Sequence, residues 1–527
     1  MPISTSGKDF DIILVTAEYW DDHPLSPVGV IARVLDARGF SVGIIEKPKS
    51  DRDFRRLGKP KLFFGVTSGS IDSMLNNYTP LKRERSKDPH AKPNPMPDRA
   101  IIVYCNALRR LFKGCRIIIG GLEASLRRFT HYDYWDNKVR RSILLDSRAD
   151  VLVYGNGELQ ILELAERAKA GKDFPGVAGT CVLAKEVPEG FEKLPTHTEA
   201  ATDKKKFCGM QSLFSNRMNL AQEYNRNYIL QFAATKCTPE MLDWIYGLGY
   251  SRDMHPQSLL KMAQFSVVTH RGCVGNCSFC SLGLHQGDRI ISRSEGSILA
   301  ELERIALHRE FRGIIDDLGG PAANMYGMDC GKCETGQCLG CRNLDRSQFP
   351  VLRLLRQARK VRGVRKVFVR SGVRYDLAVE SPDYVRELSE FHVSGCLKVA
   401  PEHFSSEVLR LMNKPGERFD EFVEMFGKLN VGKGQSLRYY LMIGHPGEDA
   451  GTLDTLVRKA SGLGNIENFQ MFTPTPMTLS TCMYWTGLDP RTMKPVKVAY
   501  DYRTKKRMKE RMLALTRKRS EPGLDGF

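Results

Sequence analysis

From Phe265 onward the sequence repeats one unit six times: a short apolar run, then a helical pattern. The runs FSVVTH, GIIDDL, KVFVRSG, GCLKVA, LRYYLMI and NFQMFTP alternate with SILAELERIALH, VLRLLRQARKV, DYVRELSEF, EFVEMFGKL and TLDTLVRKASGL. Apolar strands joined by helices build parallel sheets covered on both faces, because each crossover returns the chain to the same end. Six units in about 220 residues predict a barrel-like parallel sheet, shorter than the eight-unit barrel. In such sheets the reactive groups gather at the carboxyl ends of the strands.

The segment THRGCVGNCSFCS, 269–281, directly follows the first of these strands. It carries Cys273, Cys277 and Cys280 as C-x3-C-x2-C. A structural zinc or an ordinary iron–sulfur cluster takes four protein ligands. Three thiolates hold three irons of a cubane and leave the fourth open to a ligand. Gly275 lets the backbone wrap closely and aim amides at the sulfides, and Phe279 stands just before the last cysteine. Seven of the 14 cysteines fall within 273–341, a clustering that points to metal rather than to a disulfide scaffold.

A second set, Cys330, Cys333, Cys338 and Cys341, spaced C-x2-C-x4-C-x2-C, lies in an insertion at 328–345 after the second strand. Three readings stand side by side: a structural zinc held as in a zinc knuckle, a second iron–sulfur cluster that relays electrons or binds substrate, and redox-active or unliganded cysteines.

The triad after the first strand of a six-unit barrel resembles the radical S-adenosylmethionine (radical SAM) superfamily. The run THRGCVGNCSFCSLGLHQGDRIISRSEGSILAEL, with DDLGGPAANMYG, LKVAPEH and FTPTPMTLSTCMYWTG, is similar to one branch of it, the YgiQ-type (UPF0313) proteins. The resemblance reaches from the first strands to about residue 490. It implies a partial (β/α)6 barrel of TIM type. It also implies a [4Fe-4S] cluster whose open iron chelates the amino and carboxylate groups of S-adenosyl-L-methionine. One electron from an external flavodoxin- or ferredoxin-like reductant then yields methionine and a 5′-deoxyadenosyl radical, which abstracts hydrogen from an unactivated carbon. The cofactor does the hard step and the protein positions groups and excludes side reactions.

The same resemblance places cofactor contacts on the strand ends. Gly319 and Gly320 would offer backbone to the methionine ammonium, and Ser371 and Arg374 would meet the ribose hydroxyls and the methionine carboxylate. Glu402 would accept from ribose or ammonium, and His403 would be a polar group toward substrate. LMIGHPGED is similar to a phrase of the tRNA-methylthiolating relatives; Gly444, Pro446 and Gly447 shape a turn and Glu448 caps the next helix. Met471 and Phe472 would wall the adenine or substrate pocket.

Before residue 172, FDIILVT, FSVGIIE, KLFFGVTSG, CRIIIGGLEAS and DVLVYGNGE read as five strands around helices such as VGVIARVLDARG and AIIVYCNALRRLF, with a long polar loop over 78–99. The expected organisation is a parallel-sheet domain over 1–171, a connector or elaboration of it over 172–262, the barrel over 263–490, and a basic tail over 491–527. Within the connector, NLAQEYNRNYILQFAA reads as a long helix. The first domain resembles the Rossmann-like, cobalamin-binding-like domain fused to many radical enzymes. There the pattern D-x-H-x-x-G supplies histidine to cobalt. In DDHPLSPVG, Asp21 and His23 match, but Ser26 stands at the glycine position, Gly29 comes too late, and Pro24 and Pro27 stiffen the loop. Cobalamin is therefore not expected here.

A net charge of +18 favours an anionic partner: RNA, DNA, or a phosphorylated or carboxylated small molecule. Met508, Met512 and Leu515 give the basic tail an apolar stripe, so it is expected to pack on the core rather than reach for RNA. No apolar run approaches the roughly 18 residues of a membrane span, and the N-terminus lacks a signal-peptide pattern. A cytoplasmic radical SAM enzyme without a membrane partner is the expectation. The alternative is an iron–sulfur or zinc protein that binds RNA or senses redox state without radical turnover; its RNA binding would survive loss of the triad. The sequence sets neither the substrate nor the oligomeric state.

Overall fold

The computed structural model describes residues 3–85, 95–330, 338–463 and 465–517. The chain forms two compact units. The first comprises Met1–Gln264 with Leu284–Gly287 and Thr475–Met477; the second comprises Phe265–Gly283, Asp288–Pro474 and Thr478–Phe527.

The first unit is built on one sheet. Its strands are β1 (Ile3–Ser4), β2 (Ile12–Thr16), β3 (Val42–Glu46), β4 (Phe63–Thr67), β5 (Ile117–Ile119), then β8 (Val151–Val153), β9 (Thr180–Ala184), β10 (Glu192–Lys193), β11 (Leu220–Tyr224) and β12 (Asn227–Gln231); β6 (His131–Asp133) and β7 (Lys138–Arg140) form a separate hairpin. Among the described residues the order across the sheet is β1-β3-β2-β4-β5-β8-β9-β12-β11-β10. The pairs from β1 to β8 are parallel, and β8–β9, β9–β12 and β12–β11 are antiparallel. All five residues of β2 are buried, as a central strand covered on both faces requires. The helix Pro27–Asp36 starts with proline at its first turn and Ser26 as its cap, whose side chain accepts from Gly29 N.

The stretch over 172–262 supplies β9 to β12 to this same sheet. The long helix expected within it is a correction: 220–231 is the β11–β12 hairpin. Asn225 takes a φ of 60°, the left-handed conformation that a two-residue hairpin turn demands and asparagine tolerates. Gln222 and Gln231, polar positions that look like the wet face of a helix, are fully buried and hydrogen-bonded instead.

The second unit carries β13 (Ser266–Val268), β14 (His270–Arg271), β15 (Ile291–Ser292), β16 (Ile314–Ile315), β17 (Asp317–Gly319), β18 (Lys366–Val367), β19 (Cys396–Glu402), β20 (Ser436–Ile443) and β21 (Asn465–Met471). Parallel pairing links β13 to β17, β16 to β18, β19 to β20 and β20 to β21, with a parallel bridge from Val373 to Val399. The six expected strand segments therefore lie side by side in chain order, all pointing the same way. The helices between them bury one face each: Ile298, Leu302 and Ile305, Val351, Leu354 and Leu355, and Phe422 and Phe426 pack with Val267, Ile315, Val367 and Val399. The helix Tyr502–Arg517 buries Met508 and Met512, and Lys505 donates to Tyr484 Oη at 2.7 Å. Among the described residues no helix is long and apolar enough to cross a membrane.

Candidate active site

The carboxyl end of β13 runs through Thr269 and β14 into the loop that carries the cysteine triad. Neighbouring elements pin that loop. Ser278 N donates to Met412 O at 2.8 Å, at the end of the helix Ser406–Met412, and Asn413 Nδ2 donates to Asn276 O at 2.9 Å. Ser480 N donates to Ser278 O at 2.9 Å from the far side. Cys280 N closes a turn on Cys277 O at 3.0 Å, and Asn276 takes a φ of 44° between the first two cysteines. All three triad cysteines are half-buried free thiols.

Gly275 leaves room for a neighbouring side chain. A Cβ there would stand 2.5 Å from Arg374 Nη1 and 3.3 Å from Cys273 Sγ. The bare glycine lets the Arg374 guanidinium lie across the loop beside the thiols. Arg374 is oriented twice over. Its Nε and Nη2 bond the carboxylate of Asp376 at 3.0 and 2.6 Å, and Asn324, fully buried, grips its backbone by accepting from Arg374 N and donating to Arg374 O, each at 2.9 Å. Arg374 thus joins the triad, with its fork already on Asp376.

Electrostatics follow from this packing. Burial pushes the Cys280 thiol up to about 12, partly offset by the backbone N–H of Leu282; burial also raises Cys273, with Gly275 N–H, Arg374 and Lys414 pulling the other way. Metal ligation needs thiolates, so the two cations beside this loop favour the ligating form. Glu402, at the end of β19, takes the left-handed conformation, φ 66°, and turns its carboxylate to Lys414 Nζ at 3.5 Å, within range of Cys280.

Gly319 ends β17, next to the triad strand, and Gly320 follows it. Gly319 O accepts from Thr269 N at 2.8 Å, and a Cβ at Gly319 would meet Ser371 Oγ at 2.6 Å. A Cβ at Gly320 would meet the His270 ring at 2.5 Å. Ser371 Oγ donates to Asp317, which also accepts from the backbone N of Arg370 at 2.8 Å and of Ser371 at 3.1 Å. Gly319, Gly320, Ser371, Arg374 and Glu402 therefore all stand on strand ends of this one unit. Met471 and Phe472 are buried at the end of β21, and Phe472 packs on His445 with ring centroids 5.2 Å apart.

Two readings of strand-end residues change. Glu448 does not cap the following helix. Asp449 does, accepting from Thr452 N at 3.0 Å in a reciprocal capping box, while Glu448 lies buried and accepts from Gly444 N at 2.6 Å. Burial pushes the Glu448 carboxyl up to about 8. His403 is buried, its Nδ1 accepts from Ser405 N at 2.9 Å, and its Nε2 has no hydrogen-bond partner. The sequence reading missed Asp317, Asn324, Asp376 and Lys414. Asp317 and Asn324 had a visible trace, as polar residues set in an apolar strand and in the phrase that follows it.

Of the second cysteine set, Cys333 lies outside the described residues. Cys338 is buried and packs with Val274, Ile290, Met325, Met328 and Leu344, against which Cys273 also lies, so this insertion shares an apolar cluster with the triad loop. Cys330 and Cys341 are half-buried. Among the described residues no three His, Cys, Asp or Glu side chains converge on a single ion. A cubane would ask something different of the triad, since each of its three thiolates would take its own iron.

Comparison with known proteins agrees along the whole chain. Residues 3–269 match the family model described as Radical SAM N-terminal, and residues 267–460 match the Radical SAM superfamily model. A UPF0313 protein of Geobacter sulfurreducens is 44% identical over 96% of this chain and 89% of its own length. One from Methanocaldococcus jannaschii is 42% identical over 99% of this chain and 92% of its own. Among solved structures, the cobalamin- and [4Fe-4S]-bound radical S-adenosylmethionine methyltransferase TsrM from Kitasatospora setae superposes with a TM-score of 0.52 at 16% identity, covering 90% of this chain and 75% of that one. The cobalamin-dependent radical enzyme OxsB, with aqua-cobalamin bound, gives 0.50 at 11% identity, covering 90% and 55%.

Proposed function

This chain belongs to the radical SAM superfamily, in its UPF0313 branch, and on that premise we propose that it binds a [4Fe-4S] cluster and S-adenosyl-L-methionine to modify an anionic substrate by radical chemistry. The observation that carries the reading is the loop after β13: three half-buried thiols, pinned on both sides, with the Arg374 guanidinium laid over Gly275. The six parallel strands that hold it read as a partial (β/α)6 barrel, and the sheet of the first unit as a Rossmann-like domain.

Cys273, Cys277 and Cys280 would each hold one iron. When bound, cluster and S-adenosyl-L-methionine supply one-electron cleavage to methionine and a 5′-deoxyadenosyl radical. The rest belongs to the chain. Arg374 and Lys414 place positive charge beside the thiols. Gly319 and Gly320 bring backbone close without a side chain, and suit the methionine ammonium. Glu402 and Ser371, on neighbouring strand ends, suit the ribose hydroxyls. Apolar packing around Val274, and the buried Phe472 at a strand end, would help keep water from a reacting carbon held there. The electron would come from an external flavodoxin- or ferredoxin-like protein. The net charge of +18 supports RNA or a phosphorylated or carboxylated small molecule as substrate. The clustering of seven cysteines within 273–341, a metal-site pattern rather than an even disulfide framework, supports a reducing, cytoplasmic setting.

The test is anaerobic. Protein reconstituted with iron and sulfide, then given S-adenosyl-L-methionine and a chemical reductant, should form 5′-deoxyadenosine, and Cys273→Ala should form none. Equal product from both proteins, or none from the parent at full iron loading, overturns the reading.

A further inference from the structure

Two solved structures that superpose on this chain hold cobalamin, and Asp21 and His23 match part of the D-x-H-x-x-G pattern that would ligate its cobalt. The geometry points to a different use of that loop: we infer that Asp21, Asp22 and His23 are a latch on the segment 251–264 of the first unit, and that this unit does not bind cobalamin.

His23 is fully buried and committed at both ring nitrogens. Its Nδ1 accepts from Leu25 N at 3.0 Å, which leaves the proton on Nε2. Nε2 lies 2.8 Å from Gln264 O, to which it donates. Arg252 Nη1 also donates to Gln264 O at 2.7 Å, and lies 2.9 Å from Nε2. A cobalt ligand needs a free imidazole lone pair aimed outward, and this ring has none.

Its two neighbours grip the same segment. Asp21 accepts from His255 N at 2.7 Å and from Ser258 Oγ at 2.5 Å. Asp22 accepts from Ser251 N at 2.8 Å while its carboxylate holds Arg33, and Arg252 N donates to Asp22 O at 2.9 Å. Ser26, at the position where the pattern has glycine, is the cap of the helix Pro27–Asp36. Gly29 is needed for another reason: a Cβ there would stand 2.4 Å from Asp21 O. The loop is therefore folded back against its own helix.

The strand ends of the sheet, where a doubly wound fold takes its ligand, are also filled. A Cβ at Gly69 would stand 2.3 Å from the Glu18 carboxylate, which is itself held by Ser70 N at 2.8 Å and Ser70 Oγ at 2.6 Å. A Cβ at Gly121 would stand 2.5 Å from Thr67 Oγ1, and one at Gly155 would stand 3.1 Å from His285 O. Glycines that would admit a ligand's flat face are packed by the chain's own atoms.

The experiment uses the full chain and hydroxocobalamin. After anaerobic incubation and desalting, the protein should carry no corrinoid, and added protein should leave the hydroxocobalamin spectrum unchanged. Thermal unfolding of His23→Ala and Asp21→Asn should fall several degrees below the parent, and limited proteolysis should cut sooner within 251–264. Retained corrinoid near one per chain overturns the inference, whether or not His23→Ala abolishes it. A parent-like unfolding temperature and cleavage pattern in both variants overturns the latch. Formation of 5′-deoxyadenosine by the parent without corrinoid is scored separately, so failure of the radical reading is distinguishable from failure of this one.

Discussion

At the scale of the single residue, the site is governed by what is left out. Gly275 sits in a loop whose flanking residues are fixed by Met412, Asn413 and Ser480, so the backbone cannot retreat from an added methyl. Arg374 cannot easily retreat either, since Asp376 holds its fork and Asn324 its backbone. Gly275→Ala is therefore expected to fold normally yet to push the guanidinium off the thiols. Partners at one remove from a metal typically change its affinity or the activity by about 10–100-fold. Iron per chain after anaerobic reconstitution, followed against a chelator, checks this; parent-like retention of iron would show that Arg374 does nothing for the loop.

At the scale of elements, the parallel strands of the second unit were legible because each is written as a short, mostly apolar run followed by a helical pattern, and LRYYLMI or FSVVTH has few other readings. The triad was legible for a similar reason: its spacing is local. The β11–β12 hairpin was not, because its two buried glutamines are satisfied by Pro195, Ser215 and Met218 from elsewhere in the chain, and nothing local announces that. Arg374 was picked out from the sequence, but its place over Gly275 depends on Asn324 and Asp376, partners visible only once the strands are assembled. The C-terminal helix lies between these cases. Its charge suggests a nucleic-acid arm, yet the stripe of Met508 and Met512 is buried, Met512 completely. Met512→Ala should cost about 2–5 kcal/mol, the usual range for a truncated core methionine or leucine, read as a drop in the urea midpoint. A loss below about 0.5 kcal/mol, the level of an exposed substitution, would show the helix undocked in solution.

At the scale of the whole molecule, buried histidines set the response to acid. Burial holds His23, His270 and His445 down at about 3, and His131 and His403 at about 4. Unfolded, each would titrate near 6.5. Between those limits the unfolded chain binds protons that the native chain refuses, so stability falls as pH falls. Their contribution is fully present above about pH 6.5 and is lost progressively toward pH 3 to 4. Glu448 works against them: burial raises it to about 8, so its native form holds a proton that the unfolded form sheds above about 4.5, and its contribution declines as pH rises through that window. Burial raises Glu18, Asp21, Glu123 and Asp316 in the same sense as Glu448, from carboxylates that start at about 4, while His197 and His392 are lowered and add to the other histidines between pH 5 and 6.5. Each net proton is worth about 1.4 kcal/mol per pH unit. The urea midpoint should therefore fall gently from pH 6.5 to 8, by up to about one proton's worth as the Glu448 contribution is lost, and drop steeply from pH 6.5 toward 5. In His23→Asn the slope should lose about one proton's worth. A midpoint that holds level or climbs on acidification would mean that these rings are already protonated in the native protein, and that the hydrogen-bond directions assigned to His23, and with them the latch, are wrong.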